Sequence, residues 1–286
     1  MGPGNTNRSV EAFTSNANAG GSGYDIVLQR FNNAGATIGG EMLVNTTLSG
    51  TQELPDVSAY ANGNLVIVWQ DTSGNDGAGY GVFGRQFDAA TGTFGAQFQV
   101  NTITAGNQYE ARVATLSNNG FVVVWGDSGG QDGSSWATFA RVYDAAGTAM
   151  GDAFLVNETT GGGQYQPTVT GLSTGGFVVS FHNDNYDTSG TGSYNDVYIR
   201  EYDANGVAID GQRKLPMATN TPSNQEYLPA IADLGNGNFV VAYTDYVPAN
   251  DGGNATYEIT QQIFGATAEM PRQANPDLSD FVGTVT

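Results

Sequence analysis

The chain has 286 residues, 39% hydrophobic and 13% charged, yet 28 acids against 9 bases leave a formal charge of −19. That balance repels nucleic acid and anionic membrane surfaces and attracts divalent cations. Cysteine is absent, which excludes disulfides and thiolate metal sites, and no apolar run approaches the ~20 residues of a membrane helix.

Residues 1–7, opening Met1-Gly2-Pro3-Gly4-Asn5, read as a disordered leader or an appended segment. They lack the basic and apolar regions of a signal peptide. Beyond them one stretch recurs: Asn64–Asp71, Gly120–Asp127, Gly176–Asn183 and Asn238–Asp245. The first three start 56 residues apart, at 64, 120 and 176. Periodicity on this scale decides the fold before any local propensity does. A second landmark, an aromatic followed by an acid or amide, recurs at Phe31-Asn32, Phe87-Asp88, Tyr143-Asp144 and Tyr202-Asp203. A third is Val44-Asn45, Val100-Asn101 and Val156-Asn157, replaced by Leu215-Pro216. A fourth pairs Gln52 with Pro55, Gln108 with Ala111, Gln164 with Pro167 and Gln225 with Pro229. Together they define one repeat domain over 8–270, with copies 8–55, 56–111, 112–167, 168–229 and 230–270.

Each full copy reads as four strands. A short first strand such as Asp56–Tyr60 turns at Asn62-Gly63, Asn119-Gly120, Gly175-Gly176 or Asn236-Gly237, the strongest short-range hairpin signal. The second strand is almost continuously apolar, so both its faces are expected to be buried. The third alternates, as in Tyr80–Phe87, and the fourth is the short Phe98–Asn101. Antiparallel four-stranded units repeated five times predict an all-β fold, a five-bladed β-propeller of ~56-residue repeats. An open β array or a pair of sandwiches is the alternative. Phe13, Trp69, Trp125, Phe181 and Tyr243 become five equivalent aromatics between blades. The first copy lacks its opening strand and the last lacks a Val-Asn strand, so residues 271–286 are either a linker or a ring-closing tail.

Candidate sites follow the second strand. Asp71 and Asp76, Asp127 and Asp132, Asp184 and Asp187, and Asp245 and Asp251 stand on Gly- and Asn-rich loops that suit calcium, or that simply cap tight turns. At each loop exit an aromatic recurs: Tyr24, Tyr80, Trp136, Tyr194 and Tyr257. Such a rim can stack on sugar rings, or it can seal neighbouring blades. Arg85, Arg141 and Arg200 share one register and are expected to pair with acids on an adjacent strand or blade. His182 has no partner His or Cys and is not expected to be catalytic.

The copies, with Gly-Phe-Val-Val-Val-Trp at 120–125, the Asp-Gly loops, Tyr-Asp-Ala-Ala-Gly at 143–147 and the Phe-x-Val-Asn strand, resemble a repeat of giant RTX-type bacterial proteins. These are type I secreted, calcium-dependent adhesins and exoproteins. The tail 274–281 looks like the opening of the cadherin-like modules that follow in such chains. The resemblance implies part of a larger extracellular or cell-surface protein. The expected function is a calcium-stabilised adhesion module binding a glycan or a surface protein, without membrane insertion. A structural spacer is the alternative, and a five-bladed glycoside hydrolase ranks below both. Near-identical copies offer many equal sites where catalysis needs one, so the chain is expected not to be an enzyme.

Overall fold

The computed structural model describes residues 9–16, 23–186, 193–215, 225–247 and 256–265, and every helix or strand among them is a strand. They form five separate antiparallel sheets, each a meander in chain order except that the last short strand of the second returns to pair with that sheet's third strand. The first holds β1 (Ser9–Ser15), β2 (Asp25–Phe31) and β3 (Thr37–Leu43). The second holds β4 (Gln52–Ala59), β5 (Leu65–Asp71), β6 (Gly81–Asp88), β7 (Thr93–Phe94) and β8 (Phe98–Gln99). The third holds β9 (Gln108–Thr115), β10 (Phe121–Asp127), β11 (Ala137–Tyr143) and β12 (Phe154–Leu155). The fourth holds β13 (Gln164–Gly171), β14 (Phe177–Tyr186), β15 (Ser193–Tyr202) and β16 (Arg213–Lys214). The fifth holds β17 (Gln225–Gly235), β18 (Asn238–Val247) and β19 (Thr256–Phe264). The all-β expectation holds, and the sheets are packed in a propeller-like succession.

The glycine-bearing hairpins turn where expected. Asn119 has φ 64°, and Asn236 and Gly237 have φ 56° and 78°, the left-handed backbone that Asn and Gly adopt at least cost. Every residue of β5 and of β10 is buried. Each of these strands is flanked by strands at both edges and by a neighbouring sheet on its faces, so polar alternation is absent from its sequence.

The sheets meet through four buried clusters, each shared by two consecutive sheets. Trp69 and Phe83 pack with Ile26 and Leu28 of the first sheet. Trp125 and Phe121 pack with Val66 and Val68 of the second. Phe181 packs with Val122 and Val124 of the third, and Tyr243 with Val178 and Val197 of the fourth. The four aromatics are at most 1% exposed, while Phe13, at the start of the series, is half-buried. In the third, fourth and fifth sheets the aromatic that ends the third strand lies on one near the start of the second: Tyr143 on Phe121 at 4.4 Å and 3°, Tyr202 on Phe177 at 5.0 Å and 11°, and Phe264 on Phe239 at 4.9 Å and 14°. Such stacks add about 0.5–1.5 kcal/mol beyond burial. Among the described residues, no buried cluster joins the fifth sheet to the first.

The arginine register corrects the expectation of acid partners. Arg85 donates through Nη1 to the Val44 carbonyl at 2.7 Å, and Arg200 does the same to Val156 at 2.7 Å. Each guanidinium thus reaches back one sheet to backbone. Only Arg200 adds a carboxylate, Glu158 at 2.6 Å.

Candidate functional site

Four first strands, β4, β9, β13 and β17, adjoin one another in succession. Each starts at or beside a fully buried polar residue: Gln52, Gln108, Gln164 or Glu226. In register across the hairpin stand Asp71, Asp127, Asn183 and Asp245. The expected copy boundaries placed these glutamines at the ends of the preceding copies, whereas in the structure they open the strands of the next sheet. In the fifth sheet the buried position falls on Glu226, one residue past the Gln225 landmark.

The two residues that follow form a β-bulge. They are Glu53-Leu54, Tyr109-Glu110, Tyr165-Gln166 and Tyr227-Leu228, and the pairing register slips beside each pair. Leu54, Glu110, Gln166 and Leu228 adopt φ of 52°, 54°, 51° and 54°. Left-handed backbone costs a side-chain-bearing residue about 1–2 kcal/mol, and such strain gathers at functional sites. The bulge explains the next residue as well. Pro55, Pro167 and Pro229 lack a ladder donor, and a bulge is where a strand tolerates that.

The bulges converge on one pocket of about 530 Å³. Leu54, Glu110, Gln166 and Leu228 line it with Tyr109, Tyr165 and Tyr227, while Gln70, Trp136 and His182 complete the lining. The aromatic rings form an arc across three sheets. Tyr80 meets Tyr109 at 5.4 Å, Tyr109 stacks on Trp136 at 4.9 Å, and Trp136 meets Tyr165 at 5.2 Å. Tyr165 meets His182 at 5.4 Å. Gly126 makes this possible, because a β-carbon there already sits 3.6 Å from the Trp136 ring and anything larger would displace it.

Burial moves the His182 imidazole down to about 4, with Asp184 opposing weakly, so the ring is neutral at pH 7. Burial, then the Asp184 carboxylate, pushes the Tyr165 hydroxyl up. Gln70 Nε2 donates to Glu53 Oε1 at 2.9 Å, while Gln70 Oε1 and His182 Nδ1 are buried without hydrogen-bond partners. The pocket is thus an aromatic wall with acceptor-rich polar groups between its rings. It can hold a flat, hydroxyl-bearing molecule, and Glu110 is the carboxylate in its lining.

The loop acids are placed otherwise. Asp71 Oδ1 accepts from Ser73 N at 2.8 Å and its Oδ2 from Gln52 at 3.3 Å. Asp127 repeats this with Gly129 N at 2.7 Å and Gln108 at 3.0 Å. Asp76 accepts from Ala78 N at 3.1 Å and Asn101 at 3.0 Å, and Asp132 from Ser134 N and Asn157, both at 2.9 Å. These carboxylates close their own turns and anchor the Val-Asn asparagines. Asp184 accepts from Gly163 N, and Asp245 is buried opposite Glu226. No group of three or more His, Cys, Asp or Glu side chains converges among the described residues. Asp187 and Asp251 lie outside the described residues.

Of the exit aromatics whose side chains are described, Trp136 alone lines the pocket. Tyr80 supports it from behind Tyr109. Tyr24, 48% exposed, is not in the lining, and Tyr257, 69% exposed, touches the pocket only through a hydrogen bond to Tyr227. Tyr194 belongs to β15 by its backbone, and its side chain lies outside the described residues. Tyr109, Tyr165 and Tyr227 were not singled out from sequence. The signal was the residue after the buried Gln or Glu, hidden between two landmarks used only for alignment.

No family model and no curated protein matches the chain. Solved structures do. A protein of unknown function from Dyadobacter fermentans is similar with a TM-score of 0.57 at 11% identity, covering 91% of this chain and 76% of that one. The Penicillium chrysogenum alpha-L-arabinanase, complexed with arabinobiose, is similar with a TM-score of 0.53 at 12% identity, covering 74% of this chain and 62% of the arabinanase. At such identities the likeness shows the fold alone. It still corrects the expectation of a non-enzyme. That expectation held repeat architecture against catalysis, and a fold of this kind carries an arabinanase. The copies also diverge where it matters, because the bulge pair differs from sheet to sheet.

Proposed function

We propose that the chain acts on glycosides through the pocket at the converging bulges. The observation that carries this reading is the arc from Tyr109 through Trp136 to Tyr165, set against Glu110, Gln166 and neutral His182 in a 530 Å³ pocket. Aromatic faces take the apolar faces of sugars, and amides and carboxylates take their hydroxyls. Glu110 is the group in the lining suited to acid–base work on a glycosidic bond. The test is release of reducing sugar from arabinan, glucan, galactan and mannan oligosaccharides, alongside calorimetric titration. Glu110→Gln should lower turnover at least a hundredfold while retaining binding. Failure of the whole panel to bind would end the reading.

We further infer that the five sheets close into a five-bladed ring. Support comes from the equivalent buried aromatics and the succession of shared clusters. A compact chain of this length has a radius of gyration of about 19 Å. Solution scattering well above that value would favour the open array. Calcium at the Asp71–Gly77 and Asp127–Gly133 loops, and a place on a bacterial surface, are proposals that rest on the repeat resemblance. Thermal melting with calcium and with chelator tests the ion, since a site specific to the native state must raise the midpoint.

A further inference from the structure

The structure assigns the pocket a class of ligand: an uncharged, hydroxyl-donating sugar, with uronates and other carboxylated sugars excluded. This deepens the glycoside reading and rests on it. Recognition of an anionic sugar needs a cation in the site, and among the described residues none that line the pocket is Lys or Arg. The described cations are committed elsewhere. Arg85, Arg141 and Arg200 donate to carbonyls of the preceding sheet. Arg213 and Lys214 pair with Glu201 and Asp196. Arg30 lies over the Phe87 ring at 5.7 Å. Arg112, two residues along β9 from Glu110, donates to the Ala111 carbonyl and acts on Asp56.

Two acceptors in the pocket also ask for donors. Gln70 has spent its amide nitrogen on Glu53, which leaves Oε1 as a buried acceptor. Glu110 accepts only. The unpartnered Nδ1 of neutral His182 accepts a hydroxyl proton in one tautomer and donates in the other, and carries no charge for a carboxylate in either. Sugar hydroxyls supply protons to such a set, whereas a carboxylate brings further acceptors and a charge that Glu110 repels. The chain's charge of −19 adds to that repulsion at low salt.

The test uses the intact chain and matched ligands: glucan, galactan and mannan oligosaccharides, each with its C6-oxidised uronate form, titrated by calorimetry at low ionic strength. Every oligosaccharide that binds should weaken at least tenfold on oxidation, and Glu110→Gln should narrow that gap. A uronate form that binds as tightly as its parent, or tighter, overturns the charge assignment and leaves the saccharide site standing. Absence of binding by both forms throughout the panel overturns the saccharide reading itself, and this inference with it. Circular dichroism of Glu110→Gln separates loss of fold from loss of recognition.

Discussion

Arg141 donates through Nη1 to the Val100 carbonyl at 2.9 Å, across the seam between the second and third sheets. Its Nε donates to the Gly151 carbonyl at 3.0 Å, so one planar fork ties a sheet to its predecessor and to its own outer turn. A lysine reaches one of these oxygens but cannot span both in fixed geometry. Arg141→Lys should therefore cost about 1.5–3 kcal/mol, the range for hydrogen bonds involving a charged group. Urea denaturation should show the lower midpoint with an unchanged slope. A variant as stable as the parent would mean that the seam is held by apolar packing alone.

Asn101 makes a denser joint. Its amide nitrogen donates to Asp76 at 3.0 Å, to the Ile103 carbonyl at 3.0 Å and to Gln108 at 2.9 Å, while its oxygen accepts from Val82 N at 3.0 Å. Gln108 passes the chain on to Asp127. Asn101→Asp removes the donor and sets a buried carboxylate against Asp76. The expected loss is about 3 kcal/mol or more, since three acceptors lose the two N–H groups they share and a charge is left uncompensated. Thermal melts should show the deficit shrinking as pH falls and the new carboxyl takes a proton, which restores a donor. A deficit independent of pH would show that packing, and not the donor, was lost.

The repeat, the four-stranded units and the buried second strand were legible because they are one-dimensional signals. Val122, Val123 and Val124 in a row, then Trp125, describe a strand covered on both faces. The role of Val-Asn was not legible. Asn101 contacts Asp76, 25 residues back, and Gln108, 7 ahead, so its meaning exists only once two sheets abut. Arg141 misled for the same reason. Its Val100 partner is a backbone oxygen, which sequence pattern does not mark. The pocket was half legible. Trp136 belonged to a visible series, but Tyr109 and Tyr165 became wall residues through a bulge that reverses φ at Glu110 and Gln166. Nothing in local propensity asks a glutamate or a glutamine to adopt left-handed backbone.

That bulge separates stability from recognition. Gln166→Gly relieves a left-handed residue, and should leave the melting midpoint unchanged or raise it by a few degrees, after the entropic cost of glycine. It also removes an amide from the pocket, so saccharide affinity should fall about tenfold, in keeping with a lost hydrogen bond of about 1 kcal/mol or somewhat more. Trp136→Ala should weaken binding more, since the ring has a stacking face to lose. Tyr24→Ala, 48% exposed and outside the pocket, should change affinity less than twofold. Equal losses at Tyr24 and Trp136 would move the site back to the outer loop rim.

His182 gives the pocket a pH signature. Its folded value of about 4 lies below the ordinary value of 6.5. Between these limits the unfolded chain binds a proton that the folded chain refuses, so this residue makes stability rise with pH from about 4 to 6.5. The full difference is about 3 kcal/mol, present above 6.5 and lost as pH falls through the window. Asp127 works in the opposite sense, because burial raises its carboxyl and folding then favours the proton. The wild-type profile therefore mixes signs, and the informative quantity is a difference. His182→Gln keeps the volume and an amide donor and acceptor while removing the titration. Its stability relative to the parent should improve progressively as pH drops from 6.5 to 4, measured by urea unfolding at half-unit steps. Parallel profiles would place the imidazole in contact with solvent and remove the basis for treating it as a neutral pocket group.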